Sequence, residues 1–315
     1  MLAIPRETAA GEARVAATPS AVRSLVQRQV PVLVEQDAGL WSGFSDEDYL
    51  RAGAEIVPTP EELYTRADWI WKVLRPEGYE RRLLRAGQRL YCLMHVGESL
   101  PEGVDSVALE CWEQDGDAPV RAAMAELAGR LAVQAASVAL QKQEGGRGLF
   151  VGGVPGVEPA AVLVIGAGTG GRNAAMLAAA MGAAVTVLDT RVHALRALNI
   201  PGIKTLPATP HTVERALAGA DVVIAAVREG QGAPQVAGRG HLGLMRPGAV
   251  VVDLSITDGG AFATTPRTPL GEPAVVVDGI VHIGVPNFAG AVPRTASPAF
   301  SFASLPRLMA DLVKN

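Results

Sequence analysis

Cysteine is scarce. The 315-residue chain has two, Cys92 and Cys111, both in apolar surroundings and without Cys-x-x-Cys spacing. That argues against a disulfide framework and reads as two core thiols in a reducing compartment. No His, Cys, Asp or Glu cluster has metal-ligand spacing, so no metal is expected. Charge is also sparse: charged residues are 19% of the chain and the net charge is −4. This leaves no basic field for nucleic acid. Apolar runs are broken by glycine or charge before the roughly 18 residues a membrane span needs. The opening Met1-Leu-Ala-Ile-Pro-Arg-Glu lacks the apolar core of a signal peptide. The expectation is a cytoplasmic protein. What is plentiful is apolar sequence, 49% of residues, enough for buried cores in about two domains.

The middle of the chain carries the strongest pattern. Val162-Leu-Val-Ile reads as a strand buried on both faces, and Gly166-Ala-Gly168-Thr169-Gly-Gly171 comes directly after it. Alanine-rich sequence to Met181 reads as a helix. A second apolar run, Val185-Thr-Val-Leu188, stops at Asp189, about twenty residues past the glycines. This is the strand, turn, helix, strand and acid of a dinucleotide-binding unit. Gly166 permits the tight turn, Gly168 lets the backbone approach a pyrophosphate, and Gly171 lets helix and strand pack closely. Thr169 stands between them, and the helix N-terminus offers N–H groups and partial positive charge to the phosphates. Asp189 can accept from a ribose 2′-hydroxyl and disfavours a 2′-phosphate, so NAD is expected over NADP. Arg191, two residues on, weakens that preference.

Around this unit, repeated strand–helix alternation predicts α/β architecture: two Rossmann-like, doubly wound parallel-sheet domains. Thr18 caps a helix with Pro19 at its first position, and 31–35, 67–74 and 88–95 read as strands, the last ending at His95. A helix over 124–141 links the two domains. Further strands are expected over 221–227 and 278–284, with a turn and strand over 245–253, and 297–313 reads as a proline-punctuated segment returning to the first domain. The division expected is 1–126 with 290–315 for substrate and 127–289 for NAD.

Several stretches then resemble one family. Ile4-Pro-Arg-Glu-Thr, Glu12-Ala-Arg14-Val-Ala-Ala-Thr-Pro19 and Ala38-Gly-Leu-Trp-Ser-Gly-Phe are similar to the N-terminal domain of alanine dehydrogenases and transhydrogenase α subunits. Met124-Ala-Glu-Leu-Ala-Gly-Arg, Gly152-Gly-Val-Pro-Gly-Val157, Val281-His-Ile-Gly-Val-Pro-Asn287 and Gly290-Ala-Val-Pro-Arg-Thr295 bring it nearer to alanine dehydrogenase. The resemblance covers nearly the whole chain, which is shorter than usual at its C-terminal end. It implies a cleft between substrate and NAD domains, reversible oxidative deamination of an L-amino acid, and a homo-oligomer, dimer or hexamer.

By the same resemblance Arg14 binds the substrate carboxylate, His95 polarises the keto or imino carbon, and Asn287 lies beside the nicotinamide. A guanidinium pairs two N–H groups with a carboxylate, and imidazole titrates near neutrality. The chain departs from the pattern at three places. The family's second strand lysine is Leu74, leaving Lys72 as the remaining cation, two residues away and so expected on the same strand face. The catalytic aspartate position holds Thr257, with Asp258 next to it. The serine of Met-Ser-Glu is Ala125. His193, His211, His241 and His282 read as surface or structural. The leading expectation is an NAD-dependent oxidoreductase acting on an amino, imino or 2-oxo acid, with altered substrate. Two alternatives stand beside it. One is reductive condensation of an oxo acid with an amine, as in N-(carboxyethyl)ornithine synthase. The other is an NAD-binding protein with lost or regulatory activity.

Overall fold

A computed structural model describes residues 1–94, 99–230 and 232–312. The chain divides into two compact units, Met1–Met124 with Ala289–Asn315, and Ala125–Phe288.

In the first unit, strands and helices alternate as β1 (Leu2–Ile4), α1 (Pro19–Val26), β2 (Val32–Glu35), α2 (Asp46–Ala52), β3 (Glu55–Val57), α3 (Pro60–Arg66), β4 (Trp69–Leu74), α4 (Gly78–Leu83), β5 (Arg89–Leu93) and β6 (Asp105–Ala108). The helix starts are written in the sequence: Thr18, Ser45 and Thr59 each accept a backbone N–H of the helix they precede. Among the described residues the strands form one parallel sheet in the order β3-β2-β1-β4-β5-β6. Side chains alternate between two apolar layers. Leu2, Ile4, Val32, Val34, Trp71 and Tyr91 face one, and Ala3, Leu33, Ile70, Leu90 and Cys92 face the other.

One strand breaks the alternation. β4 pairs with β5 as Trp71 to Tyr91 and then Leu74 to Leu93, three steps against two. This bulge re-aims the end of the strand. Leu74 and Leu93 pack with the Trp71 layer, whereas Lys72 points to the opposite face. The expectation that Lys72 and Leu74 share a face is therefore corrected: period two fails across an inserted residue.

α5 (Pro119–Ala139) begins in the first unit and ends in the second. It starts five residues earlier than expected, because a proline fits the first helical turn. The second unit continues with β7 (Ala161–Ile165), α6 (Thr169–Ala180), β8 (Ala184–Asp189), α7 (Val192–Arg196), β9 (Ile203–Pro207), α8 (Pro210–Gly219), β10 (Val222–Ala225), α9 (Arg239–Leu242), β11 (Val250–Asp253), β12 (Ala274–Val277) and β13 (Ile280–Ile283). Its sheet runs β12-β13-β11-β10-β7-β8-β9, parallel except for the β12–β13 pair. Strand order reverses between β7 and β10, the switch point at which doubly wound sheets bind ligands. Both folds are of the expected class.

The strand expected over 278–284 begins only at Ile280. Asp278 and Gly279 have φ of +49° and +77° and turn a two-residue hairpin, which an Asp-Gly pair between apolar runs favours. The terminal segment is one helix, α10 (Pro293–Leu312), in spite of Pro298 and Pro306. Its buried face, including Ser297, Phe300, Ser301, Ser304 and Leu308, packs within the first unit. Cys92 is buried as expected, but Cys111 is only half-buried. Among the described residues no helix is long and apolar enough to cross a membrane, and no group of acids, cysteines or histidines could hold a metal ion.

His282 lies in β13 fully buried, its Nδ1 2.8 Å from Thr265 Oγ1 and its ring edge-on to Phe262. Nε2 has no partner among the described residues. Burial pushes the imidazole down to about 4 from its ordinary value near 6.5, against the pull of Asp278. Below pH 6.5 the unfolded chain therefore binds a proton that the folded chain refuses. Stability present above pH 6.5 is lost as pH falls, by about 3 kcal/mol at pH 4 from this group. The melting midpoint of His282→Asn should drop less between pH 7 and pH 4 than that of the parent. Equal drops would contradict the buried neutral imidazole.

Candidate functional site

In the second unit the glycine turn joins β7 to α6. Gly166 has φ of +100°, and a Cβ there would stand 2.3 Å from Ala226 O, so only glycine fits. At Gly171 a Cβ would stand 1.8 Å from Gly166 O. The turn and the first turn of α6 are thus closed against each other, as helix–strand packing requires. Gly168 caps α6 with φ of −68°, and the nearest atom to a Cβ there is Arg191 Nη2 at 3.9 Å. Its task is not conformational. It keeps space open in front of the amides of Thr169, Gly170 and Gly171 at the start of a 12-residue helix, where a phosphate finds donors and positive charge. Gly129 explains itself in the same place: a Cβ would lie 2.0 Å from Gly170 O, so α5 crosses the head of α6 at backbone distance.

Asp189 ends β8, buried. Oδ2 accepts from Ala167 N at 2.7 Å and Oδ1 from Arg191 N at 2.7 Å. The Arg191 guanidinium adds Nε to Oδ1 and Nη2 to Oδ2, each at 3.2 Å. Burial alone would raise this carboxyl, but the Arg191 and backbone hydrogen bonds hold it below the usual carboxylate range. A cavity of about 440 Å³ opens beside it, lined by Gly166, Asp189, Arg191, Val227, Arg228 and Val236 among others. A dinucleotide fits this donor set: an open helix head for pyrophosphate, an apolar wall, and an acid at the end of the second strand.

Asp253 ends β11 and organises the loop after it. Its carboxylate accepts from Ser255 N at 2.9 Å, Ala261 N at 2.8 Å and Phe262 N at 3.0 Å. Burial raises this carboxyl in spite of the three donors. Ser255 Oγ ties the loop to Val227 N and O. Asp258 is half-buried and Thr257 exposed within the 3₁₀ turn Ile256–Asp258. Asn287 is half-buried just past β13.

In the first unit Arg14 is buried and faces Glu12. Nε donates to Oε1 at 2.7 Å and Nη2 to Oε2, while Nη1 lies 3.2 Å from Met124 Sδ. The extended backbone around it is held from outside: Ser297 Oγ accepts from Val15 N at 3.0 Å, Ser301 Oγ from Thr18 N at 3.1 Å, and Tyr49 donates to Ala17 O at 2.7 Å. Lys72 is enclosed. Its ammonium donates to Glu80 Oε1 at 2.6 Å and Arg6 O at 3.3 Å, and stands 3.4 Å from Glu7 Oε2. Glu7 also accepts from Val73 N at 2.7 Å and Leu74 N at 3.4 Å, so it caps the β4 bulge. Burial pushes Glu7 up to about 7, with Lys72 opposing. Burial also lowers the Lys72 ammonium, but Glu7 and Glu80 together hold it above its usual value. Burial thus favours the protonated form of Glu7, and the ammonium beside it opposes this. Lys72, expected as a substrate cation, is the counter-ion of this nest. Glu7, Glu12 and Glu80 were not expected at all; Glu7 stands in Ile4-Pro-Arg-Glu and Glu12 two residues before Arg14, but nothing local says that they are buried. His95 lies outside the described residues.

Two family descriptions match the chain: alanine dehydrogenase/PNT, N-terminal domain, over residues 3–128, and alanine dehydrogenase/PNT, C-terminal domain, over residues 132–314. An alanine dehydrogenase of Halomonas elongata is 41% identical over 98% of this chain and 86% of that protein. A solved L-alanine dehydrogenase superposes with a TM-score of 0.92 at 35% identity, covering 99% of this chain and 90% of the other. A transhydrogenase from Sinorhizobium meliloti gives 0.85 at 27%, covering 98% and 92%.

The glycines separate binding from folding. Gly168→Val should keep the parent's melting midpoint and lose dinucleotide binding in a fluorescence titration. Gly171→Ala should lower the midpoint, the overpacked turn costing about 2 kcal/mol or more. A Gly168→Val chain that still binds would show that the space before α6 is not the phosphate site.

Proposed function

Because the chain belongs to the alanine dehydrogenase/PNT family, and is on that ground an NAD-dependent oxidoreductase of the amino-acid dehydrogenase type, we propose that it moves hydride at the α-carbon of an amino, imino or 2-oxo acid other than alanine and pyruvate. The observation that carries the altered substrate is the fate of the strand cations: Lys72 is locked between Glu7 and Glu80, and Leu74 turns to an apolar layer.

When bound, NAD supplies the hydride acceptor, and NADH the donor. The chain's own residues do the rest. Gly166, Gly168, Thr169 and Gly171 shape the phosphate site, Asp189 is the acceptor for ribose, and Asn287 is the polar group for the nicotinamide end. Arg14 holds the substrate carboxylate, which displaces the weak Met124 thioether contact at Nη1, while Glu12 keeps the guanidinium plane fixed. His95 donates to the C=O or C=N group, as the resemblance implies. Asp258 is the remaining acid of the β11 loop and handles the proton that Thr257 cannot. In this reading the enzyme works in the cytoplasm as a homo-oligomer.

Steady-state oxidation of NADH with a panel of 2-oxo acids tests this, run once with ammonium and once with primary amines. Pyruvate with ammonium should turn over weakly, since each missing charged contact costs about 2–4 kcal/mol in the transition state, roughly a hundredfold in rate. A larger oxo acid should exceed it. Leu74→Lys with Thr257→Asp should raise pyruvate turnover beyond either single change, because polarisation and proton transfer serve one step. Pyruvate turnover near ten per second, an ordinary enzyme rate, would contradict the altered substrate. Turnover only with amines would mark a condensing reductase, and none at all would mark a binding protein.

A further inference from the structure

One side chain stands where the ribose of a dinucleotide belongs. A carboxylate offers about four lone-pair directions, and at Asp189 all four are taken. Two go to backbone N–H groups, Ala167 N and Arg191 N, which are part of the turn itself. The other two go to the single guanidinium of Arg191. Asp189 therefore has no acceptor left for a ribose diol while Arg191 stays. The two pairs are held unequally. The backbone donors are fixed by the fold, whereas the Arg191 side chain, 56% exposed against 5% for the carboxylate, is free to leave toward solvent. Arg191 is thus a displaceable occupant of a fixed acceptor.

Its surroundings give it somewhere to go. Arg191 and Arg228 both line the cavity beside Asp189. Arg228 is exposed and donates from Nε to Gly230 O at 3.2 Å. Arg191 Nη2 lies 3.9 Å from the Cβ position of Gly168, across the mouth of the glycine turn. A 2′-phosphate is the one group that separates NADP from NAD, and it suits a planar guanidinium far better than a carboxylate.

We propose that Arg191 sets the discrimination between NADH and NADPH in this chain, withholding Asp189 from the ribose diol of the first and pairing with the 2′-phosphate of the second. The proposal rests on the dinucleotide reading of the second unit. Its consequence is a narrow cofactor gap: NADH still binds more tightly, because Asp189 opposes a phosphate, but by less than about tenfold.

Fluorescence titration of NADH and NADPH into the parent, Arg191→Ala and Arg191→Gln, without substrate, tests it. Arg191→Ala should bind NADH about threefold more tightly, as the loss of a competing exposed ion pair allows. It should bind NADPH about tenfold more weakly, the value of a charge-assisted pair. Arg191→Gln, which keeps bulk and loses charge, should do the same. The NADPH effect should shrink in high salt. Equal changes for both nucleotides, or an NADPH affinity that ignores the substitution, would overturn the proposal while leaving the dinucleotide site standing. A parent that binds neither nucleotide would overturn both.

Discussion

A buried carboxylate that accepts backbone N–H groups at the carboxyl end of a parallel strand is the device on which both halves of this molecule depend. Parallel strands leave their chemistry to the loops beyond their carboxyl ends, and a loop has no ladder to hold it. Asp189 ties Ala167 N of the glycine turn to the end of β8. Asp253 gathers three amides and folds residues 255–262 around itself. Glu7, beyond β1, takes the two amides exposed by the β4 bulge. An isolated buried charge would be costly. Each of these is instead met by donors fixed in the backbone, so the carboxylate sets the loop and the loop keeps the carboxylate hydrogen-bonded.

The same device explains what the sequence reveals and what it hides. The glycine turn is legible because its constraints are local: a positive φ at Gly166, a close approach at Gly171 and an acid at the end of the next strand all fall within a single unit. The helix start at Thr18 is legible for the same reason. The hairpin at Asp278-Gly279 carried a clear local signal, and reading through it made a turn into strand. The bulge in β4 carried none. It arises from a pairing with β5 and from a glutamate more than sixty positions away in the chain, so the period-two argument for Lys72 and Leu74 failed where distant contacts decide. Glu12 and Glu80 were illegible for the same cause: burial of an acid shows only once its cation is placed. The prolines of α10 signalled a broken segment, yet its buried serine and phenylalanine face keeps one helix.

The glycine turn of the second unit rests on backbone geometry, where Cβ distances near 2 Å forbid substitution at Gly166 and Gly171. The first unit instead gathers buried side-chain charges, Lys72 between Glu7 and Glu80 and Arg14 against Glu12.

A crystal structure of the chain grown with NADH tests this most directly. The prediction is a pyrophosphate against the amides at the head of α6, the adenosine ribose on Asp189, and the Arg191 side chain swung away from that carboxylate, with Lys72 still between Glu7 and Glu80. A nucleotide bound elsewhere, or one whose ribose leaves the Asp189–Arg191 pair unbroken, would contradict it.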